Sequence, residues 1–143
     1  ITRPNRRSDM RMIEQEIIQA IRDRKNFSTP KVQDMYRKKE GRRDVLRWSD
    51  IGNFSLELWG HEIVHGDPEV NTLIISDCGY PTATTKSRLN AVFAALDIPM
   101  SCSVRSKKMV YFLNGKELEL VEKTIDYRKD YTIATGPWVI TIS

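Results

Sequence analysis

Four residues at the start of one helix, Thr84, Thr85, Lys86 and Arg88, carry the side chains best suited to holding an anion. Within five positions, two hydroxyls and two cations converge with the free backbone N–H groups of a helix N-terminus, the arrangement that cradles phosphate. The helix itself is read from Leu89, Val92, Phe93 and Leu96, which recur at i, i+3, i+4 and i+7 and form one stripe, with Thr82 or Thr84 as its N-cap. A helix N-terminus carries about half a positive charge and attracts acids, yet the nearest acids here are Asp77 before it and Asp97 after it. Two cations in the first turn are unfavourable by roughly a few tenths of a kcal/mol each unless an anion joins them. Exchanging Lys86 and Arg88 for Glu is therefore expected to strengthen the helix and abolish anion binding. The rival reading is that both cations are solvated and the threonines only cap.

Other residues with chemical potential form weaker sets. His61 and His65 would share one face of a helix, but their segment reads as a strand, where four residues span about 13 Å. With Cys78 and Cys102 they make a formal Cys2His2 set whose spacing matches no close ligand pair. Asp77 and Cys78 stand beside Gly79 at a strand end, where a thiolate near a helix N-terminus is activated; the alternative is a small buried apolar side chain. No Ser-His-Asp order, Walker loop or dinucleotide fingerprint is present. The expectation is no catalytic residue, no metal and no cofactor.

A second cationic cluster, Arg37, Lys38, Lys39, Arg42 and Arg43, belongs to the first third of the chain. The net charge of +4 over 143 residues is unevenly spread: the first fifty residues hold fourteen Lys/Arg against eight Asp/Glu, the remainder nine against eleven. That asymmetry points to an anionic partner for the N-terminal part. Two cysteines make no disulfide framework, and neither a secretory apolar region nor a run near eighteen apolar residues is present, which favours a reducing cytosol and no membrane partner.

These groups are placed by a small set of elements. A basic arm precedes a helix with apolar positions Ile13, Ile17, Ala20 and Ile21, capped by Ser8 or Asp9, and Asn26 and Phe27 break it. Ser28, Thr29 and Pro30 then open a second helix over residues 30–40, ended by Gly41, giving a basic helical pair with thin apolar stripes. From residue 49 the chain is β-rich. Residues 54–65 read as one strand with Gly60 as a bulge, and 72–77 pair back on it. After the central helix, residues 100–105 and 109–113 pair, Asn114-Gly115 signals a type I′ turn into residues 117–121, and 131–135 and 138–142 around Gly136-Pro137 read as a further hairpin or an extended strand. Trp48, Trp59 and Trp138 read as core or interface anchors. The fold expected is one α+β domain over residues 1–143: a basic helical part over 1–48, then a β-rich body over 49–143 with an antiparallel sheet of about six strands packed on the amphipathic helix 85–96.

The run from His61 to Gly115 resembles a group of small bacteriophage proteins of unassigned function. The resemblance rests on His61, Gly79, Tyr80, Thr82, Thr84, Thr85, Lys86, Arg88, Asn90, Tyr111 and Phe112, the residues of a Gly-aromatic-x-Thr corner, a TTK-x-R-x-N helix start and a following strand with an aromatic pair. Asp77, Cys78 and Pro81 around the glycine depart from that pattern. The resemblance implies phage origin rather than an activity. Together these observations lead to the expectation of a non-enzymatic protein that binds nucleic acid or a nucleotide through Thr84, Thr85, Lys86, Arg88 and the 37–43 cluster, in the cytoplasm of an infected bacterium. The alternative is an anti-defence inhibitor whose cationic surface docks on a host enzyme with an acidic or nucleic-acid-binding face.

Overall fold

The computed structural model describes residues 6–34, 39–119 and 131–143. Helix α1 (Arg6–Arg22) buries Ile17, Ala20 and Ile21, the three positions of its stripe that meet at one face. Arg24, at φ 53°, occupies the left-handed position where glycine usually ends a helix; Lys25 N–H donates to Ala20 O at 2.9 Å and closes the end. Strands β1 (Phe27–Ser28), β2 (Lys31–Asp34), β3 (Lys39–Arg42), β4 (Asp44–Trp48), β5 (Phe54–Leu58), β6 (His61–Asp67) and β7 (Thr72–Ile75) lead to helix α2 (Ala83–Ala95). Strands β8 (Met100–Arg105), β9 (Lys108–Leu113), β10 (Lys116–Glu117), β11 (Tyr131–Thr135) and β12 (Trp138–Ile142) follow. The fold class is α+β.

Seven strands form the main sheet in the order β1-β4-β5-β6-β7-β12-β11. Period-two alternation turns Leu46, Leu56, Leu73, Ile75, Ile140 and Ile142 to one buried face, where Leu89, Val92 and Phe93 of α2 and the stripe of α1 join them in one core. The sheet is mixed, because β12 runs parallel to β7 while its other pairs are antiparallel. The chain leaves β7 through α2 and a separate three-stranded sheet, β10-β9-β8, and returns to the main sheet as the hairpin β11-β12, whose second strand lies parallel to β7. The side-chain amide of Asn90 holds that second sheet on α2: it donates to Cys102 O at 3.0 Å and accepts from Cys102 N–H at 2.8 Å, pairing the edge of β8 as a neighbouring strand would.

Three local expectations are corrected. The second helix of the basic pair is absent: residues 31–34 and 39–42 are the strands of an antiparallel hairpin, Lys31 opposite Arg42 and Val32 opposite Gly41. An eleven-residue helix spans about 16 Å, whereas Thr29 and Asp44, on either side of the segment, are tied by Thr29 N–H to Asp44 O at 3.0 Å and Asp44 N–H to Thr29 Oγ1 at 2.9 Å. A hairpin brings the chain back to that tie; a helix carries it away. Residues 54–65 are two strands rather than one, since Trp59 (φ 50°) and Gly60 (φ 82°) make a two-residue turn that sets Leu58 opposite His61. The irregularity falls in β6 instead, where the register skips Ile63 and lets the consecutive Ile63 and Val64 both be buried. The sheet of about six antiparallel strands is the seven-stranded mixed sheet. The expected turn at Asn114-Gly115 (φ 51° and 79°) stands as read, and of the two readings of the C-terminal segment the structure shows the hairpin around Gly136-Pro137.

Gly66 fixes the packing of the sheet's centre. A Cβ at this position would lie 2.4 Å from Phe54 Cε1 on the paired strand, so the ring occupies the space that a side chain would fill. Gly66→Ala is expected to lower stability by about 1–3 kcal/mol through overpacking, and much of that loss should return in Gly66→Ala with Phe54→Leu. Urea unfolding of the two variants checks it.

Candidate ligand-binding site

The corner before α2 is built by its own polar side chains. Asp77 Oδ1 accepts Gly79 N–H at 2.8 Å, Cys78 adopts φ 53°, and Thr82 caps the helix by accepting Thr85 N–H at 3.2 Å. Thr85 Oγ1 in turn donates to Tyr80 O at 2.9 Å and is 1% exposed. Among the expected cradle residues, Thr85 therefore faces the protein.

Arg88 faces inward as well. Its Nε donates to Asp44 Oδ1 at 2.7 Å, its Nη2 to Asp44 Oδ2 at 3.3 Å and its Nη1 to Ser87 Oγ at 3.0 Å, with the side chain 6% and that of Asp44 0% exposed. Ser87 Oγ donates to Glu14 Oε1 at 2.7 Å, which links α1 to the same cluster. Arg88 is thus not a solvated cation awaiting a ligand, and the expected gain from Arg88→Glu is reversed, because a second carboxylate would meet Asp44. Neither Asp77 nor Asp97 is its partner. The sequence held a signal for Asp44: in the run DVLRW it keeps the parity of the inward-facing Leu46, and an acid at a core position requires a buried cation.

What remains open to a ligand lies on either side of Arg43. Its Nε donates to Asp44 Oδ2 at 2.8 Å, yet the side chain is 43% exposed. A groove of about 630 Å³ on one side is walled by Met12, Ile13, Phe27 and Pro30 and lined also by Glu16. A recess of about 250 Å³ on the other holds His61, Tyr80, Trp59 and Asp77, and the His61 and Tyr80 rings pack at 5.2 Å. Arg43 and Thr84 line both. The first turn of α2 contains no acid. Lys86 is half-buried on α2 near Cys102, and Arg42 is exposed with Nη1 donating to Thr29 O at 2.8 Å. Lys39 lies in β3, while Arg37 and Lys38 fall outside the described residues.

The remaining reactive groups are dispersed. Cys78 Sγ donates to Glu62 O at 3.2 Å beside the His61 recess, and His65 lies 3.8 Å from Glu62. Burial pushes the Cys102 thiol from 9.0 up to about 12, opposed by the charge of Lys86, and burial also raises Tyr111, assisted by Cys102 and Asp77. Among the described residues no group of three or more His, Cys, Asp or Glu is placed to hold a metal ion, and no helix is long and apolar enough to cross a membrane.

The family model for the Kyanoviridae Gp96 protein matches residues 10–134, so the chain belongs to that family and is a bacteriophage protein. No curated protein and no solved structure matches it.

Removing Arg88 leaves the buried Asp44 carboxylate with only the single bond from Arg43, so Arg88→Met is expected to destabilise the protein by up to about 3–5 kcal/mol. Arg88→Met with Asp44→Leu should recover most of that loss, and chemical denaturation measures both. The Cys102 shift has a defined sign: the unfolded thiol ionises near 9.0 while the native one stays protonated to about 12. Its contribution is complete below pH 9 and lost as pH rises from there towards 12. Melting temperature should accordingly fall across that window, with a shallower slope in Cys102→Ala.

Proposed function

We propose that this phage protein binds a phosphate-bearing ligand, nucleic acid or nucleotide, without turning it over, and that Arg43 and Thr84 are the contact. The observation that carries the reading is the sharing of one carboxylate by two guanidiniums. Asp44 already receives two hydrogen bonds from Arg88, so Arg43 is the additional cation on it, half-exposed, at the mouth of two grooves and next to a helix N-terminus without acids. A phosphate can take the Arg43 fork in exchange for its single bond to Asp44 while Arg88 continues to neutralise that carboxylate. Arg42 beside it and the basic balance of the first third of the chain add attraction at longer range. Lys86 contributes charge rather than a direct contact. The infected cell's cytoplasm supplies such ligands.

A second reading, docking on a host enzyme or defence protein as an inhibitor, is favoured by a different surface. The face of the main sheet opposite the helices presents Ile74, 47% exposed, and Val139, 43% exposed, with Thr141, Thr132 and Ala134 around them.

Fluorescence anisotropy with a labelled oligonucleotide and a labelled nucleotide tests the first reading. Affinity should fall with salt, and Arg43→Gln should weaken binding by at least about tenfold with little change in melting temperature, since Arg88 still neutralises Asp44. Unchanged binding in Arg43→Gln would overturn it. A host-protein complex that survives nuclease and is lost in Ile74→Arg would establish the second.

A further inference from the structure

Resting on the phosphate contact proposed above, we infer that the ligand is a phosphodiester flanked by two nucleosides, with one base in each groove. The charge pattern along the surface alternates. The cation Arg43, with Thr84, lines both recesses, and each recess also contains a carboxylate, Glu16 in the larger and Asp77 in the smaller. An anion is therefore favoured at Arg43 and disfavoured in either recess, which leaves the recesses for neutral groups. Both are walled for flat apolar groups: Phe27 and Met12 on one side, Tyr80, 53% exposed, against His61 on the other. Neutral, anionic, neutral is the order of base, phosphodiester and base.

The same geometry discriminates among phosphate ligands. Inorganic phosphate reaches Arg43 but uses neither recess, and a mononucleotide fills one of them. A duplex keeps its bases stacked and paired, so neither base is free to enter a recess. Two sources carry the required unit, a single-stranded nucleic acid and a free dinucleotide, and both present unpaired bases on either side of one phosphodiester.

Isothermal titration of the full chain with inorganic phosphate, thymidine monophosphate, the thymidine dinucleotide and a ten-residue oligothymidylate tests the inference. The dinucleotide should bind at least about tenfold more tightly than the mononucleotide, a gain on the scale of one stacked base. Tyr80→Ala, at an exposed position, should remove that advantage without altering the melt. Equal affinity for mononucleotide and dinucleotide, still dependent on Arg43, overturns the two-groove ligand and leaves the phosphate contact standing. Binding that ignores Arg43→Gln, or absence of binding by all four probes, overturns both. An oligothymidylate that binds about tenfold or more tightly than the dinucleotide identifies a single strand as the source; equal affinity identifies the free dinucleotide.

Discussion

A carboxylate with no exposed surface, Asp44, and the guanidinium of Arg88 hold the molecule's two layers in register. Taking both ions out of water is unfavourable by several kcal/mol each, so the pair is tolerable only if its hydrogen bonds are complete. They are, and their completion recruits four elements. Arg88 and Ser87 come from α2, Asp44 from β4, Glu14 from α1, and Thr29, which meets the Asp44 backbone, comes from the end of β1. An apolar contact allows a helix to slide over a sheet; a forked bond to a single carboxylate does not. The N-terminus of α2, and with it Thr84, is thereby set at a fixed distance from Arg43, the neighbour of Asp44 in sequence.

This explains both what the sequence makes legible and what it hides. Elements with strong local signals, the stripe of α2, the Asn114-Gly115 turn, the closing hairpin and the antiparallel return of residues 72–75, follow from periodicity and turn chemistry within a few residues. The hairpin at residues 31–42 does not, since Pro30 and the charges after it suit a helix start locally, and only the distant tie between Thr29 and Asp44 decides otherwise. The same limit applies to the site. The placement of two cations, Lys86 and Arg88, near the start of α2 is a real signal that an anion is near, but the anion is Asp44, forty-four residues away from Arg88. Charge spacing along a helix shows that a partner is needed and says nothing of whether the partner is internal.

The helix start therefore divides into two kinds of residue. Thr85 closes the corner at Tyr80, Arg88 fixes α2 to the sheet and Asn90 fixes it to β8, so each is committed to a different part of the fold. A pattern of this sort can persist for folding reasons alone, and the TTK-x-R-x-N spacing is in large part a set of ties. Thr84 is different. It lines both grooves, as Arg43 does.

The ligand contact proposed at Arg43, at the margin of a buried ion pair, would have a physical advantage. A lone exposed arginine is free in several rotamers and loses that freedom on binding, whereas Arg43 is already oriented by its bond to Asp44. Its release does not expose an uncompensated charge, because Arg88 retains both oxygens of the carboxylate. In the proposed reading the anchoring pair and the contact share one acid but not one fate: exchange of Asp44 for a phosphate at Arg43 would change the occupancy of the grooves and leave the tie between helix and sheet in place. A cation pre-aimed by a partner it can leave is a better binding group than one held by nothing, and better than Arg88, which cannot leave without unfolding the junction it makes.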